Sequence, residues 1–119
     1  MSRRGIRLYL EDIRTSIRRI EQYTRGVSFD EFYRNHLMID AVVRNLTIIG
    51  EAVKNIPTEL KSKNPEVAWK EIKGMRNKVI HEYFGTDEEI LWKTVQDDIP
   101  VFKKQIAKLL KDSKQKDLK

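Results

Sequence analysis

SFDEFYRNHLMIDAVVRNLTIIGEAVK, residues 28–54, is the longest stretch of helical pattern in the chain. Ser28 followed by Glu31 three residues later is the arrangement of a capping box, in which each side chain satisfies a backbone N–H that a first helical turn leaves without a partner. Phe32, Ile39, Leu46 and Val53 then mark one apolar line, and Met38, Val42, Ile49, Ala52 and Ile56 mark a second beside it. An apolar arc of that width is more than one neighbouring helix can cover. The pattern predicts a single helix from Ser28 to about Lys54, ended at Ile56-Pro57-Thr58, at the centre of a bundle or in a subunit interface.

Upstream, Ile6, Leu10, Ile13, Ile17 and Ile20 recur at spacings of four, three, four and three, which is one buried stripe on a helix, with Gly26 as its C-terminal stop. Downstream, residues 58–64 suit a short turn of helix, and Asn64-Pro65-Glu66 suits the start of another, with Asn at the N-cap and Pro at the first helical position. Ala68, Ile72, Met75 and Val79 would be its core stripe, and Phe84-Gly85 its end. The last helix opens at Thr86 or Asp87, places Asp87, Glu88 and Glu89 against the positive end of its dipole, and buries Leu91, Val95, Phe102, Ile106 and Leu109. Pro100 interrupts that run, so a kink or restart is expected near Asp98-Ile99-Pro100. No alternating strand pattern of useful length occurs. The expected fold is all-α, an up-and-down bundle of four main helices with a short connecting helix, in one domain over 1–112, followed by a charged flexible tail over 113–119.

A chain of 119 residues can bury a core without staples, and it has no cysteine to form a disulfide or a thiolate metal site. Its two histidines are forty-five residues apart, so neither a metal centre nor another cofactor is expected. The apolar runs are too short for a secretory signal or a membrane span, which makes the cytoplasm the expected compartment. Lys+Arg 24 against Asp+Glu 18 gives a net charge of +6, favouring polyanionic partners. Much of the excess lies at the two ends, in Arg3, Arg4, Arg7, Arg14, Arg18, Arg19 and Arg25 and in Lys103, Lys104, Lys108, Lys111, Lys114, Lys116 and Lys119. Two readings stand: solvated outer faces, or a nucleic-acid track.

Two polar constellations carry candidate chemistry. His36, Asp40, Arg44, Thr47 and Glu51 form one stripe along the central helix. It is either an outer face in which Asp40 pairs with Arg44, or the flank of a site furnished by another helix. The second constellation is GMRNKVIHEYFG, residues 74–85. On an ideal helix Gly74, Asn77 and His81 share one side, so Asn77 can orient His81, and a glycine beneath them leaves room for a close neighbour. Arg76 stands about 140° round from His81. They converge if the last turn distorts, if the arginine wraps round, or if two copies of this segment meet.

Histidine exchanges protons near neutral pH, and arginine stays cationic and grips a phosphate with two nitrogens. That pair suits RNA transesterification without a metal: His81 takes the 2′-hydroxyl proton or protonates the leaving 5′-oxygen, while Arg76 stabilises charge on the phosphorane. Tyr83 could stack on a base, hydrogen-bond the phosphate, or pack. The same three residue types also serve as dipole partners and caps at a helix end.

Beyond this segment, DAVVRNLTIIGEA (40–52), WKEIKGMRN (69–77), IHEYFG (80–85), LWKTV (91–95) and Asp98-Ile99-Pro100 resemble the HepT-like branch of the HEPN family over nearly the whole chain. The resemblance implies a helical bundle that dimerises through its central helices, with two signature segments facing one cleft. It also implies a metal-independent ribonuclease that acts as a toxin on tRNA or mRNA and leaves a 2′,3′-cyclic phosphate. By matching position, Arg76 and His81 would be catalytic, with Asn77 as a supporting polar residue and Asp40, Arg44 and Glu51 nearby. Tyr83 matches the tyrosine to which a nucleotidyltransferase antitoxin attaches AMP, blocking the cleft by bulk and negative charge. Two rival readings are a non-catalytic adaptor presenting nucleotide or substrate to that partner enzyme, and a plain helical interaction module.

Overall fold

The stripe of isoleucines in the first helix becomes the floor of the core. In the computed structural model, which describes residues 3–74 and 88–117, α1 (Arg3–Thr24) buries Leu10, Ile13, Ile17 and Ile20 and packs on both α3 (His36–Lys54) and α7 (Ile99–Asp117). The Thr24 hydroxyl donates to the Ile20 carbonyl, and Gly26, with a φ of 71°, turns the chain out of the helix. That left-handed conformation costs an L-residue roughly 1 kcal/mol or more and costs glycine little.

The capping box is formed as read: the Ser28 hydroxyl accepts from the Glu31 N–H at 3.2 Å, and the Glu31 carboxylate accepts from the Ser28 N–H at 3.3 Å. The helix it opens is not continuous, however. α2 (Phe29–Arg34) stops at Asn35, and α3 begins at His36. Asn35 serves both ends at once. Its N–H donates to the Phe32 carbonyl, closing α2, and its side-chain oxygen accepts from the Met38 N–H, capping α3. Asparagine competes for backbone partners in this way, and apolar periodicity carries no mark of it. The break turns Phe32 into a fully buried position against Trp92, with ring centroids 5.0 Å apart, and still leaves Ile39, Leu46 and Val53 on the core line.

α4 (Thr58–Lys63) is the expected short helix, but the next one starts later than Asn64. Asn64 is already committed: its side-chain amide donates to the Leu60 carbonyl, and its own carbonyl accepts from the Val67 N–H and from the Trp69 indole N–H at 2.9 Å. Residues 65–67 therefore form a turn, and α5 is described over 69–74. Ala68, read as a core position, is exposed, while Val67, Trp69 and Ile72 are buried. Trp69 meets Phe102 edge-on, fastening α5 to α7. Met75 and Val79 lie outside the described residues.

α6 (Glu88–Lys93), with Glu88 and Glu89 in its first turn, continues into α7 through a π-helical turn at Thr94–Asp98. Here the Ile99 N–H reaches the Thr94 carbonyl, five residues back. The widened turn is how the chain passes Pro100, which has no N–H and would crowd the carbonyl of an ordinary preceding turn. Val95, Ile99, Phe102, Ile106 and Leu109 are buried, and α7 runs on to Asp117. The described residues are helices, turns and loops, so the fold is the all-α bundle expected. None of the described helices is long and apolar enough to cross a membrane.

Candidate functional site

Of the residues singled out for chemistry, Arg76, Asn77, His81 and Tyr83 lie outside the described residues. The structure describes what leads up to them and the polar stripe of α3. That stripe lies on the side of α3 opposite the buried Val42 and Ile49. Its first part is open to solvent at His36, Asp40 and Arg44, and it becomes half-buried at Thr47 and Glu51. The Thr47 hydroxyl is used internally, donating to the Val43 carbonyl at 2.9 Å. Beside the stripe, Leu37 is 82% exposed, while Ala41 and Ile48 on the same side are half-buried.

The expected ion pair between Asp40 and Arg44 is not formed. Among the described residues Arg44 makes no ion pair, and its guanidinium stands in solvent. An exposed pair of that spacing contributes a few tenths of a kcal/mol, less than the entropy of holding a long arginine side chain still. A guanidinium left open in this way is available to an anion, which the salt-bridged reading of the stripe did not allow.

Gly74 ends the described part of α5. Among the described residues, a methyl group placed on it would meet nothing within 4 Å. Nearby, the structure adds a feature that no periodicity announces. Burial first, and the Lys73 ammonium second, hold Lys61 below the ordinary lysine range. Two like charges, one on α4 and one on α5, are thus close enough to repel each other. Asn45 was also passed over. Its amide donates to the Ala41 carbonyl, but its Oδ1 is buried with no hydrogen-bond partner among the described residues. Its place among Val42, Leu46 and Ile49 was the available signal.

The described features are two interacting lysines on α4 and α5, an exposed arginine on α3, and Gly74, two residues before Arg76 in the sequence. Residues 13–109 match the HepT-like ribonuclease family. This chain belongs to that family. It is 50% identical over 103 residues to the protein named probable ribonuclease HepT of Thermococcus cleftensis, covering 87% of this chain and 94% of that one. It is 44% identical over 108 residues to a candidate RNase of Caldanaerobacter subterraneus subsp. tengcongensis, covering 91% and 96% respectively. A candidate RNase of Methanocaldococcus jannaschii is 42% identical over 117 residues, covering 98% and 97%. No solved structure matches the chain. Membership in the HepT-like family covers both α3 and the Arg76–Tyr83 segment, so the two constellations belong to one domain type. Among the described residues, no cluster of His, Asp and Glu side chains is placed to hold a metal ion.

Proposed function

We propose that this protein is a metal-independent endoribonuclease and the toxin of a toxin–antitoxin pair, working as a homodimer on tRNA or mRNA. The observation that carries the reading is the family match over 13–109, within which the chain holds Arg76, His81 and Tyr83 in the spacing Arg-x4-His-x-Tyr. Dimerisation through α3 is supported by Leu37, which is 82% exposed beside the half-buried Ala41 and Ile48. A large aliphatic so open is what a covering partner helix would bury. The dimer would bring two Arg76–His81 segments to one cleft and remove the difficulty that a single ideal helix points them apart.

In this reaction the 2′-oxygen of one ribose attacks the adjacent phosphorus and the bond to the 5′-oxygen breaks. One proton leaves the 2′-hydroxyl and one arrives on the 5′-oxygen, so no water is consumed and the product ends in a 2′,3′-cyclic phosphate. His81 moves a proton at one of these two oxygens, and Arg76 holds the equatorial phosphoryl oxygens as their charge grows. Asn77 orients His81, and Asp40, Arg44 and Glu51 line the approach. DNA lacks the attacking hydroxyl and is not a substrate. A nucleotidyltransferase antitoxin would silence the site by attaching AMP to Tyr83, adding bulk and negative charge where an RNA phosphate must enter.

Incubation of the purified chain with total tRNA and a mixed RNA pool in EDTA, beside His81→Ala and Arg76→Ala, tests this. Cleavage by the parent alone, leaving cyclic phosphate ends, is the expected result. Equal cleavage by all three proteins would place the activity elsewhere. An unmodified, dimeric and inactive parent would favour an adaptor role.

A further inference from the structure

The sequence places its excess positive charge at the two ends of the chain, and the fold brings those ends side by side. α1 and α7 run antiparallel, tied near one end by the Arg7 guanidinium donating to the Ser113 carbonyl at 3.4 Å and near the other by Lys103 pairing with Glu21 at 3.0 Å. Between these ties, Arg18 of α1 and Lys104, Lys108 and Lys111 of α7 are all exposed. Among the described residues none of the four forms an ion pair. The carboxylates of α1 on this side are already engaged, Glu11 by Arg14 at 2.6 Å and Glu21 by Lys103. On α7 itself Asp112 stands beside this row without forming an ion pair with it, so the four cations outnumber the carboxylate left near them.

The lysines are also in register. Spacings of four and three residues put Lys104, Lys108 and Lys111 on one side of α7, advancing about 6 Å and then about 4.5 Å along its axis. A nucleic-acid strand in a duplex advances about 3.4 Å per phosphate, so each lysine step spans one to two nucleotides. Between Lys104 and Lys111 no large hydrophobic side chain is exposed. The large hydrophobic side chains exposed on these two helices are Val101, one turn before Lys104, Leu8 and Tyr23, too few to form the apolar centre of a stable protein interface, whereas contact with a phosphodiester backbone needs only ordered charge.

We propose that the α1–α7 face is a second RNA-binding surface, holding the substrate's phosphodiester backbone through Arg18, Lys104, Lys108 and Lys111, residues other than those that cleave it. The choice of RNA over other polyanions rests on the ribonuclease reading. On this arrangement RNA is gripped at two places on the domain, so a long or structured RNA is bound more tightly than a short oligonucleotide.

The test measures binding, not cleavage, on the full chain. A fluorescent 30-nucleotide RNA, fully 2′-O-methylated so that it cannot be cut, is titrated against the parent, against the triple variant Lys104→Gln, Lys108→Gln, Lys111→Gln, and against the matching triple arginine variant, over a series of salt concentrations. The glutamine variant is expected to bind roughly tenfold more weakly at low salt, with the slope of log K against log salt smaller by about 2. The arginine variant is expected to restore both, which separates lost charge from lost fold. Equal affinity and slope in parent and glutamine variant would overturn the proposal, even if the parent cleaves RNA. Lysine-dependent binding by a chain without nuclease activity would support the surface while refuting the cleavage reading. If the glutamine variant keeps RNA affinity but loses binding to polyglutamate, the face takes an acidic polypeptide and the proposal fails.

Discussion

Gly74 and Lys61 show how single residues separate stability from function in this protein. None of the described residues approaches a Cβ at Gly74, and glycine in a helix is worse than alanine by about 1 kcal/mol. Gly74→Ala is therefore expected to raise the unfolding midpoint in urea while lowering RNA cleavage, because the added methyl intrudes on whatever approaches the Arg76–His81 segment. Unchanged cleavage would show that the glycine is not needed for access. Lys61 works in the opposite direction to a salt bridge. Its pKa is lowered in the folded state by burial and by Lys73, so below the folded value both states carry the proton and the fold bears the whole cost. As pH rises towards the ordinary value of 10.5, the folded state sheds its proton first and the cost fades. Lys61→Met should accordingly stabilise the protein slightly near neutral pH, the effect being small because the ammonium is largely solvent-screened, with the gain fading as pH rises towards 10.5 and absent above it. Urea denaturation at the two pH values decides this, and a gain constant with pH would mean that packing, not charge, is responsible. Neither feature was legible as such: Gly74 read as room for a neighbour, and Lys61 was one lysine among many until α4 met α5.

Helix ends decide how the elements are divided. Ser28→Ala removes one half of a formed capping box and should cost about 1 kcal/mol in chemical denaturation, with the loss localised to α2 in amide exchange. Asn35→Ala removes the cap of α3 and leaves the break without its side-chain bond to the Met38 N–H, so a similar loss is expected. If Asn35→Ala were instead stabilising, the apolar pattern would be winning and α2 and α3 would have joined into the single helix that the pattern predicts. The capping box was readable because both partners are three residues apart and the geometry is local. The break at Asn35 and the late start of α5 were not, because in each case an asparagine side chain chose among several backbone partners, and that choice depends on where Phe32 and Trp69 must pack.

The whole molecule has a core of ordinary sensitivity and a surface that asks for partners. Leu46 is fully buried, and Leu46→Ala should cost about 2–5 kcal/mol, a large part of the stability of a domain this size. On the outer side, Leu37→Glu is expected to convert a dimer to a folded monomer in sedimentation equilibrium, since it charges an open position beside Ala41 and Ile48. A parent that is already monomeric would remove the α3 interface from the proposal. The all-helical character, the buried stripes of α1 and α7, the stop at Gly26 and the resemblance to the HepT-like family were determined by the sequence alone, because helical period and caps depend on residues three or four apart. Tertiary structure alone decided which faces meet. Contacts such as Lys103 with Glu21 and Arg7 with Ser113 join residues remote in sequence, and they merge two basic ends into one surface. A periodic apolar stripe specifies that a face is buried, but the partner that buries it is selected by packing between segments whose separation the local pattern does not encode.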